Sequence, residues 1–265
     1  MLLYHIIILA IVQGLTEFLP ISSSGHLALT HHFFGGGVNA QTLLFDIAVH
    51  VGTLFAVLLY FRDDVTSMIS GVLRGIKDPR NDGLHLALKI IVASLPVIIA
   101  GYILMANMPS WVGSIEVIGW MTLLFGIVLW LADKYGPKVR NIETLSYKNA
   151  FLVGLAQILA LIPGVSRSGI TMTAGRMVGL EPSQAARFSL FLAMVAISGA
   201  GALTGLDLVE AQDLALSLDI LTAVFFSFIS GYLAIHLMLK WLEKHGFGVF
   251  VVYRIILGAA LLVLF

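Results

Sequence analysis

Two short polar segments interrupt a chain that is otherwise strongly apolar, and both carry side chains capable of chemistry. The first, residues 13–26, reads QGLTEFLPISSSGH. Gln13 and Glu17 are four residues apart, so on a helix they share one face and point to the same place. After the proline breaks that helix, the serines can cap a second helix whose N-terminal amides attract an anion. On this second helix Ser23 and His26, three residues apart, occupy neighbouring positions.

The second polar segment, residues 163–171, reads PGVSRSGIT and again combines a helix break with hydroxyl caps. Arg167 stands at its tip. An arginine beside a helix N-terminus is suited to holding a phosphate, because its planar fork donates two hydrogen bonds to oxygens that the backbone amides also reach. We call the helix breaks of the two segments, together with the residues beside them at 17–26 and 163–171, the two tips. If the two tips meet, the sequence predicts a phosphoryl-transfer or phosphate-binding pocket.

The composition excludes several classes of protein. Of the 265 residues, 59% are hydrophobic and 11% are charged, with a mean hydropathy of +0.99, whereas soluble proteins average roughly 45–50% apolar and about 25% charged residues. Fifteen basic and fifteen acidic residues give no net charge, which argues against a nucleic-acid partner. Without cysteine there is no disulfide, zinc–thiolate site, iron–sulfur cluster or thiol nucleophile.

A carboxylate and an imidazole are costly in an apolar environment, so Glu17 and His26 are functional candidates. Two structural alternatives remain for Glu17. It could lie at the membrane interface, or it could pair with Arg167 only to hold the two segments together. For Ser22 and Ser24, helix capping alone would account for the hydroxyls.

The apolar stretches predict an all-α polytopic membrane protein. A spanning helix needs about 20 apolar residues, and six stretches qualify, at approximately 43–61, 84–105, 113–132, 184–206, 218–240 and 248–265. The two broken regions, 1–34 and 150–176, do not fit this template. Because broken polar backbone is tolerated at membrane depth only inside protein or a water-filled cavity, both are predicted to be re-entrant helix hairpins.

The distribution of basic residues predicts the orientation. Lys and Arg are concentrated at 62–89, 134–148 and 240–254, whereas the connections 30–42, 106–112 and 207–217 hold none. The positive-inside rule therefore places the first set in the cytoplasm. Both termini then lie outside, and the first hairpin enters the membrane from outside.

The two halves of the chain resemble each other. A shift of 144 positions sets Gln13 on Gln157, Ser22 on Ser166, Ser24 on Ser168 and Gly25 on Gly169. We interpret residues 1–265 as one integral membrane domain built from two repeats, about 1–133 and about 147–265. An odd number of crossings in each repeat would invert the second copy. The alternative is chance similarity, since Ser-Gly pairs are common in membrane helices.

At the two polar motifs the sequence resembles the undecaprenyl-diphosphate phosphatase family of the bacitracin-resistance type. The resemblance implies hydrolysis of undecaprenyl diphosphate to the monophosphate lipid that carries cell-wall glycans, and thereby bacitracin resistance. It also implies a divalent cation, Mg or Ca, and a location in the bacterial cytoplasmic membrane. The charge distribution predicts that the active site, on the first hairpin, opens to the outer side. The inverted repeats also fit a second class of function, a transporter or flippase of a phosphorylated polyprenyl lipid, and a third class is a non-catalytic lipid-binding membrane protein.

The resemblance also implies roles for individual residues. It assigns catalytic roles to Glu17, Ser23, His26 and Arg167, with Gln13 in support. Ser23 is the candidate nucleophile and His26 its general base or acid, while Glu17 orients His26 or contacts the metal. In a competing scheme His26 activates water and Ser23 only positions phosphate. Further candidates for phosphate binding are the small residues of the two tips, namely Ser22, Ser24, Gly25, Ser166, Ser168, Gly169 and Thr171. The family motif can have glutamate or glutamine at position 13. Because this chain has Gln13, a scheme that needs two carboxylates on a metal is not expected here.

Overall fold

The computed structural model describes residues 3–33, 40–75, 78, 81–105, 109–210 and 218–264. Helices and connecting turns make up this part of the chain. Its α-helices are α1 (Leu3–Phe18), α2 (Ser23–Phe33), α3 (Ala40–Tyr60), α4 (Arg62–Arg74), α5 (Asp82–Met105), α6 (Ile115–Tyr135), α7 (Tyr147–Gln157), α8 (Arg167–Met177), α9 (Pro182–Glu210), α10 (Leu218–Leu242) and α11 (Gly248–Leu264). Short 3₁₀ turns at Ser110–Gly113 and Ile158–Leu161 precede α6 and follow α7.

The lengths and compositions of the helices agree with a polytopic membrane protein. Within the described ranges, α5, α6 and α10 are each long and apolar enough to cross a bilayer. The α3–α4 pair passes the same criterion as one segment, but it is bent by 80° at Phe61. The sequence did not predict α4, because its 13 residues are too few and too polar for a membrane span, although an acidic first turn and a basic last residue suit a helix.

Each of the two polar motifs lies at a break between helices, as the sequence predicts. α1 ends at Phe18 and α2 begins at Ser23, while the 3₁₀ turn after α7 ends at Leu161 and α8 begins at Arg167. The residues immediately before α2 and α8, Ser22 and Ser166, have φ angles of +74° and +70°. Left-handed backbone costs a non-glycine residue on the order of 1–3 kcal/mol. The surrounding packing must therefore hold both breaks in place.

The helices of the two halves are interlocked. α10, from the second half, packs against α1 and α3, while α5, from the first half, packs against α7 and α9. Glycine permits the close approach. A Cβ atom at Gly14 on α1 would lie 2.6 Å from the Ser227 carbonyl oxygen on α10, and one at Gly154 on α7 would lie 2.8 Å from the Ala93 carbonyl carbon on α5. The broken helix pair of each half therefore packs closely against a helix of the other half.

Three arginines that the sequence left open or misplaced have structural partners. Arg176 is fully buried, lies 3.3 Å from the Asp133 carboxylate and donates to the Gly136 and Pro137 carbonyls. Arg187 on α9 pairs with Asp64 on α4 at 3.3 Å. Arg254 is one of the basic residues from which the orientation is predicted, but it does not lie in a loop, since its side chain is fully buried on α11. Its hydrogen bonds to carbonyl oxygens explain how a guanidinium is tolerated there.

Candidate active site

Glu17 is the centre of the polar cluster. Its side chain, at the end of α1, is 9% exposed. Oε2 accepts hydrogen bonds of 2.9 Å from Gln13 Nε2 and of 2.9 Å from Ser23 Oγ, while Oε1 accepts one of 3.0 Å from an Arg167 guanidinium nitrogen. His50 Nε2, on α3, lies 3.9 Å from Oε2. The predicted face shared by Gln13 and Glu17 is thus present, and residues from four helices converge on one carboxylate.

Arg167 brings the second motif to this carboxylate. It is the first residue of α8, and its side chain is 16% exposed. One guanidinium nitrogen donates to Glu17, and the other donates to the Ser189 carbonyl on α9 at 3.1 Å. The Thr171 hydroxyl donates to the Ser189 hydroxyl at 2.7 Å. α9 therefore fixes the orientation of the guanidinium fork through Ser189, which belongs to neither polar motif.

His26 lies on the same hairpin as Ser23 but has different partners. Its Nδ1 is 2.8 Å from the Ser22 carbonyl oxygen, and its Nε2 is 2.6 Å from the Tyr253 hydroxyl on α11. Among the described residues no hydrogen bond joins His26 to Glu17 or to Ser23. The hydroxyl of Ser23 is instead directed at Glu17.

Direct contacts hold the two tips together. Ser168 Oγ donates to the Leu19 carbonyl at 2.9 Å. Arg254 donates to carbonyls of both breaks, at 3.2 Å to Pro20 and at 3.0 Å to each of Gly164 and Val165. One buried cation therefore satisfies backbone acceptors from both hairpins and fixes the position of Arg167 relative to Glu17.

Most of the small residues proposed to bind phosphate are buried and already hydrogen-bonded. Ser22, Ser166, Ser168 and Thr171 are between 1% and 8% exposed. The hydroxyls of Ser22 and Ser24 lie 3.2 Å apart, those of Ser166 and Ser168 3.1 Å apart, and the Gly169 amide donates to Ser166. Of the set, Ser24 is exposed and Gly25 is buried. In this conformation these residues build the tips, so contacts with phosphate remain a prediction that requires some of these hydrogen bonds to exchange.

Three neighbours of the cluster lie far along the chain. His50 had a weak signal, since Asp46 and His50 are four residues apart on α3, but placement at the interface fitted equally well. No sequence pattern points to Ser189 or Tyr253, because each lies in an apolar helix in which a single hydroxyl is common. Only the packing of α9 and α11 against the tips reveals them.

The donor set does not fit a preformed metal site. Among the described residues no group of three or more histidine, aspartate and glutamate side chains is arranged to hold a metal ion. Both oxygens of Glu17 accept hydrogen bonds from protein donors. A divalent cation normally needs six or more oxygen ligands, so this cluster could supply only a minority of them.

The chain is similar to known proteins over nearly its whole length. The family described as bacitracin resistance protein BacA matches residues 6–260. The chain is 46% identical to the undecaprenyl-diphosphatase of Alteromonas mediterranea, over 99% of this chain and 98% of the relative. It is 47% identical to undecaprenyl-diphosphatase 2 of Stutzerimonas stutzeri, with the same coverage, and 44% identical to undecaprenyl-diphosphatase 1 of Rhodospirillum rubrum, over 100% and 95%. The chain therefore belongs to the bacitracin resistance protein BacA family.

Proposed function

We propose that this protein hydrolyses undecaprenyl diphosphate to undecaprenyl phosphate and inorganic phosphate, and so returns the lipid carrier to cell-wall glycan synthesis. The names of its full-length relatives support the reaction, and the family name supports a link to bacitracin resistance. One observation supports the choice of the Glu17 cluster as the active site. Glu17 accepts hydrogen bonds from both Ser23 and Arg167, which joins a base, a hydroxyl nucleophile and a phosphate-binding cation at the contact of the two tips.

The first step is transfer of the terminal phosphoryl group to Ser23. The Ser23 oxygen attacks the terminal phosphorus, and its proton passes to Glu17 Oε2, to which it already donates. The anhydride P–O bond breaks, and its electron pair leaves with undecaprenyl phosphate. Arg167 exchanges its contact with Glu17 for the phosphoryl oxygens, where it neutralises charge during the transfer. This contact is 3.0 Å long, which preorganises the guanidinium, and the Arg167 side chain remains 16% exposed.

The second step is hydrolysis of the phosphoserine. A water molecule attacks the phosphorus and gives up a proton, the bond between the Ser23 oxygen and phosphorus breaks, Glu17 returns its proton to the Ser23 oxygen, and inorganic phosphate leaves. His26 is the candidate base for this water, because Nε2 faces away from the backbone that fixes Nδ1. In the competing scheme, water activated by His26 attacks the diphosphate directly and Ser23 positions a phosphate oxygen.

Glu17→Gln tests the carboxylate. The amide keeps the size and one acceptor but cannot take the proton from Ser23, so we expect kcat to fall about 10²-fold. Phosphate release from undecaprenyl diphosphate in detergent measures the change. Asp133→Asn, which alters a carboxylate paired with an arginine away from the tips, is the matched control. Wild-type kcat in Glu17→Gln would exclude Glu17 as the base.

We propose that the divalent cation implied by the resemblance reaches the site bound to the diphosphate rather than in a preformed protein site. Mg²⁺ is commonly held by one or two carboxylates together with substrate phosphates. Glu17 is the carboxylate at the cluster that could join such a set after losing one of its present donors.

We propose a topology of six membrane-spanning helices and two re-entrant hairpins in two inverted repeats, about 1–133 and about 147–265. The shared φ values of Ser22 and Ser166 support it, as do the matching hydroxyl pairs that follow them. The packing is also reciprocal, with α10 on the broken helix of the first half and α5 on that of the second. The repeat shift sets Ser23 on Arg167, so equivalent positions supply the two groups that converge on Glu17.

We propose that the protein lies in the bacterial cytoplasmic membrane, with both termini and the opening of the site on the outer side. The charge distribution supports this orientation, and without Arg254 the last basic connection still contains Lys240 and Lys244. The connections without basic residues lie partly outside the described residues, at 34–39, 106–108 and 211–217.

Labelling of single cysteines in this cysteine-free chain tests the orientation. Glu116→Cys near the start of α6 should react with an impermeant thiol reagent on intact cells, because Glu116 is exposed at the end assigned to the outside. Lys148→Cys at the start of α7 is equally exposed and should react only after the membrane is opened. The opposite pattern would overturn the orientation and the external site together.

A further inference from the structure

Tyr253 is the nearest side-chain partner of His26, although the two residues are 227 positions apart in the sequence. The Tyr253 hydroxyl lies 2.6 Å from His26 Nε2. The two rings are also stacked, with centroids 5.6 Å apart and planes inclined by 10°. Tyr253 is 43% exposed, so this contact lies near the surface of the protein and not in its core.

The hydrogen bonds of the two ring nitrogens show which nitrogen of His26 carries the hydrogen. The Ser22 carbonyl oxygen can only accept, so His26 Nδ1, at 2.8 Å, must carry the hydrogen. In the neutral imidazole Nε2 then holds a lone pair, and the Tyr253 hydroxyl donates to it. Nε2 is thus the nitrogen that exchanges protons, and while the Tyr253 hydroxyl donates to its lone pair, a proton from water reaches Nε2 by way of that hydroxyl.

Two features indicate a role beyond packing. A tyrosine whose only task is to cover α2 with its ring would not need its hydroxyl on a ring nitrogen. In addition, the stacked geometry and the hydrogen bond act on the same imidazole from α11, the helix whose Arg254 also binds both tips. The position of His26 relative to Glu17 and Arg167 is therefore set by one helix through two adjacent residues.

We infer that Tyr253 is a positioning residue for His26, holding the imidazole in the tautomer that keeps Nε2 as the proton acceptor. The inference rests on the proposed hydrolysis and on the role of His26 within it. It assigns no direct contact with substrate to Tyr253.

Tyr253→Phe isolates the hydroxyl, because phenylalanine keeps the ring that stacks on His26. We expect kcat for phosphate release to fall about 5- to 10-fold, the effect of losing one hydrogen bond that orients a reacting group, with KM changed less than about 2-fold. Tyr232→Phe is the matched control, since Tyr232 is similarly exposed, at 37%, on α10. It should leave both constants unchanged.

A double-mutant cycle separates positioning from a general structural effect. If Tyr253 acts through His26, Tyr253→Phe should have no further effect on kcat in a His26→Ala background. Equal effects of Tyr253→Phe with and without His26, or wild-type kcat in Tyr253→Phe while Arg167→Ala is inactive, would overturn the inference and leave the hydrolysis intact. Absence of phosphate release by the wild-type protein would instead overturn the proposed function.

The tautomer provides a readout that does not depend on activity. In protein labelled with ¹⁵N-histidine, the His26 signals, assigned by their loss in His26→Ala, should show a protonated Nδ1 and a hydrogen-bonded, unprotonated Nε2. Tyr253→Phe should change the Nε2 signal or mix the tautomers. Identical His26 signals in the two proteins would contradict the inference.

Discussion

Arg167→Lys is expected to lower kcat for undecaprenyl diphosphate about 10³-fold, because a point charge cannot reproduce the planar fork that binds Glu17 and Ser189 at the same time and then holds phosphoryl oxygens. Phosphate release by purified protein in detergent measures the loss. Thermal unfolding should change little, since lysine preserves the charge beside Glu17.

The control for that variant is Arg187→Lys, in which the pair with Asp64 lies away from the tips and both partners are about one-third exposed. A surface pair of this kind contributes no more than about 1 kcal/mol, so turnover should remain normal. Near-normal turnover in Arg167→Lys would exclude Arg167 from holding the transferred group.

Ser23→Ala is expected to reduce turnover by at least about 10⁴-fold, since the variant lacks the attacking oxygen. A phosphoserine at position 23 should also be found by mass spectrometry after rapid quenching of the wild-type reaction, and its yield should rise in His26→Ala if His26 activates the hydrolytic water.

The competing scheme predicts a different pair of results. If water attacks the diphosphate directly, Ser23→Ala should keep substantial activity, His26→Ala should lose it, and no phosphoserine should form. The hydrogen bond from Ser23 to Glu17, together with the pairing of His26 with Tyr253, favours the serine as nucleophile.

Features set by local physics could be predicted from the sequence. The shared face of Gln13 and Glu17 follows from helical geometry, and the two helix breaks follow from proline, glycine and serine in a short run. The predicted phosphate pocket requires the two tips to be in contact. In the structure they are, because Arg167 donates to Glu17 and Ser168 donates to the Leu19 carbonyl.

Features set by packing between distant helices could not be predicted. The sequence motif suggested His26 beside Ser23, yet the break after Phe18 turns the Ser23 hydroxyl towards Glu17 and leaves His26 facing α11. Arg254 resembled a loop residue because charge in a membrane protein usually marks an interface. Here carbonyl oxygens accept hydrogen bonds from the buried Arg254 guanidinium, and no sequence pattern predicts which carbonyls these are.

The most direct test of the central claim is the release of inorganic phosphate from undecaprenyl diphosphate by the purified protein in detergent, where no compartments exist and a lipid transporter would give no signal. The assay should compare the wild-type protein with Arg167→Ala, which removes the cation at the contact of the tips, and with Arg187→Ala, which removes one elsewhere. We predict that the wild-type protein and Arg187→Ala release one phosphate per substrate and that Arg167→Ala stays at background. Release by Arg167→Ala at the wild-type rate, or none by the wild-type protein, would contradict hydrolysis at the contact of the two hairpins.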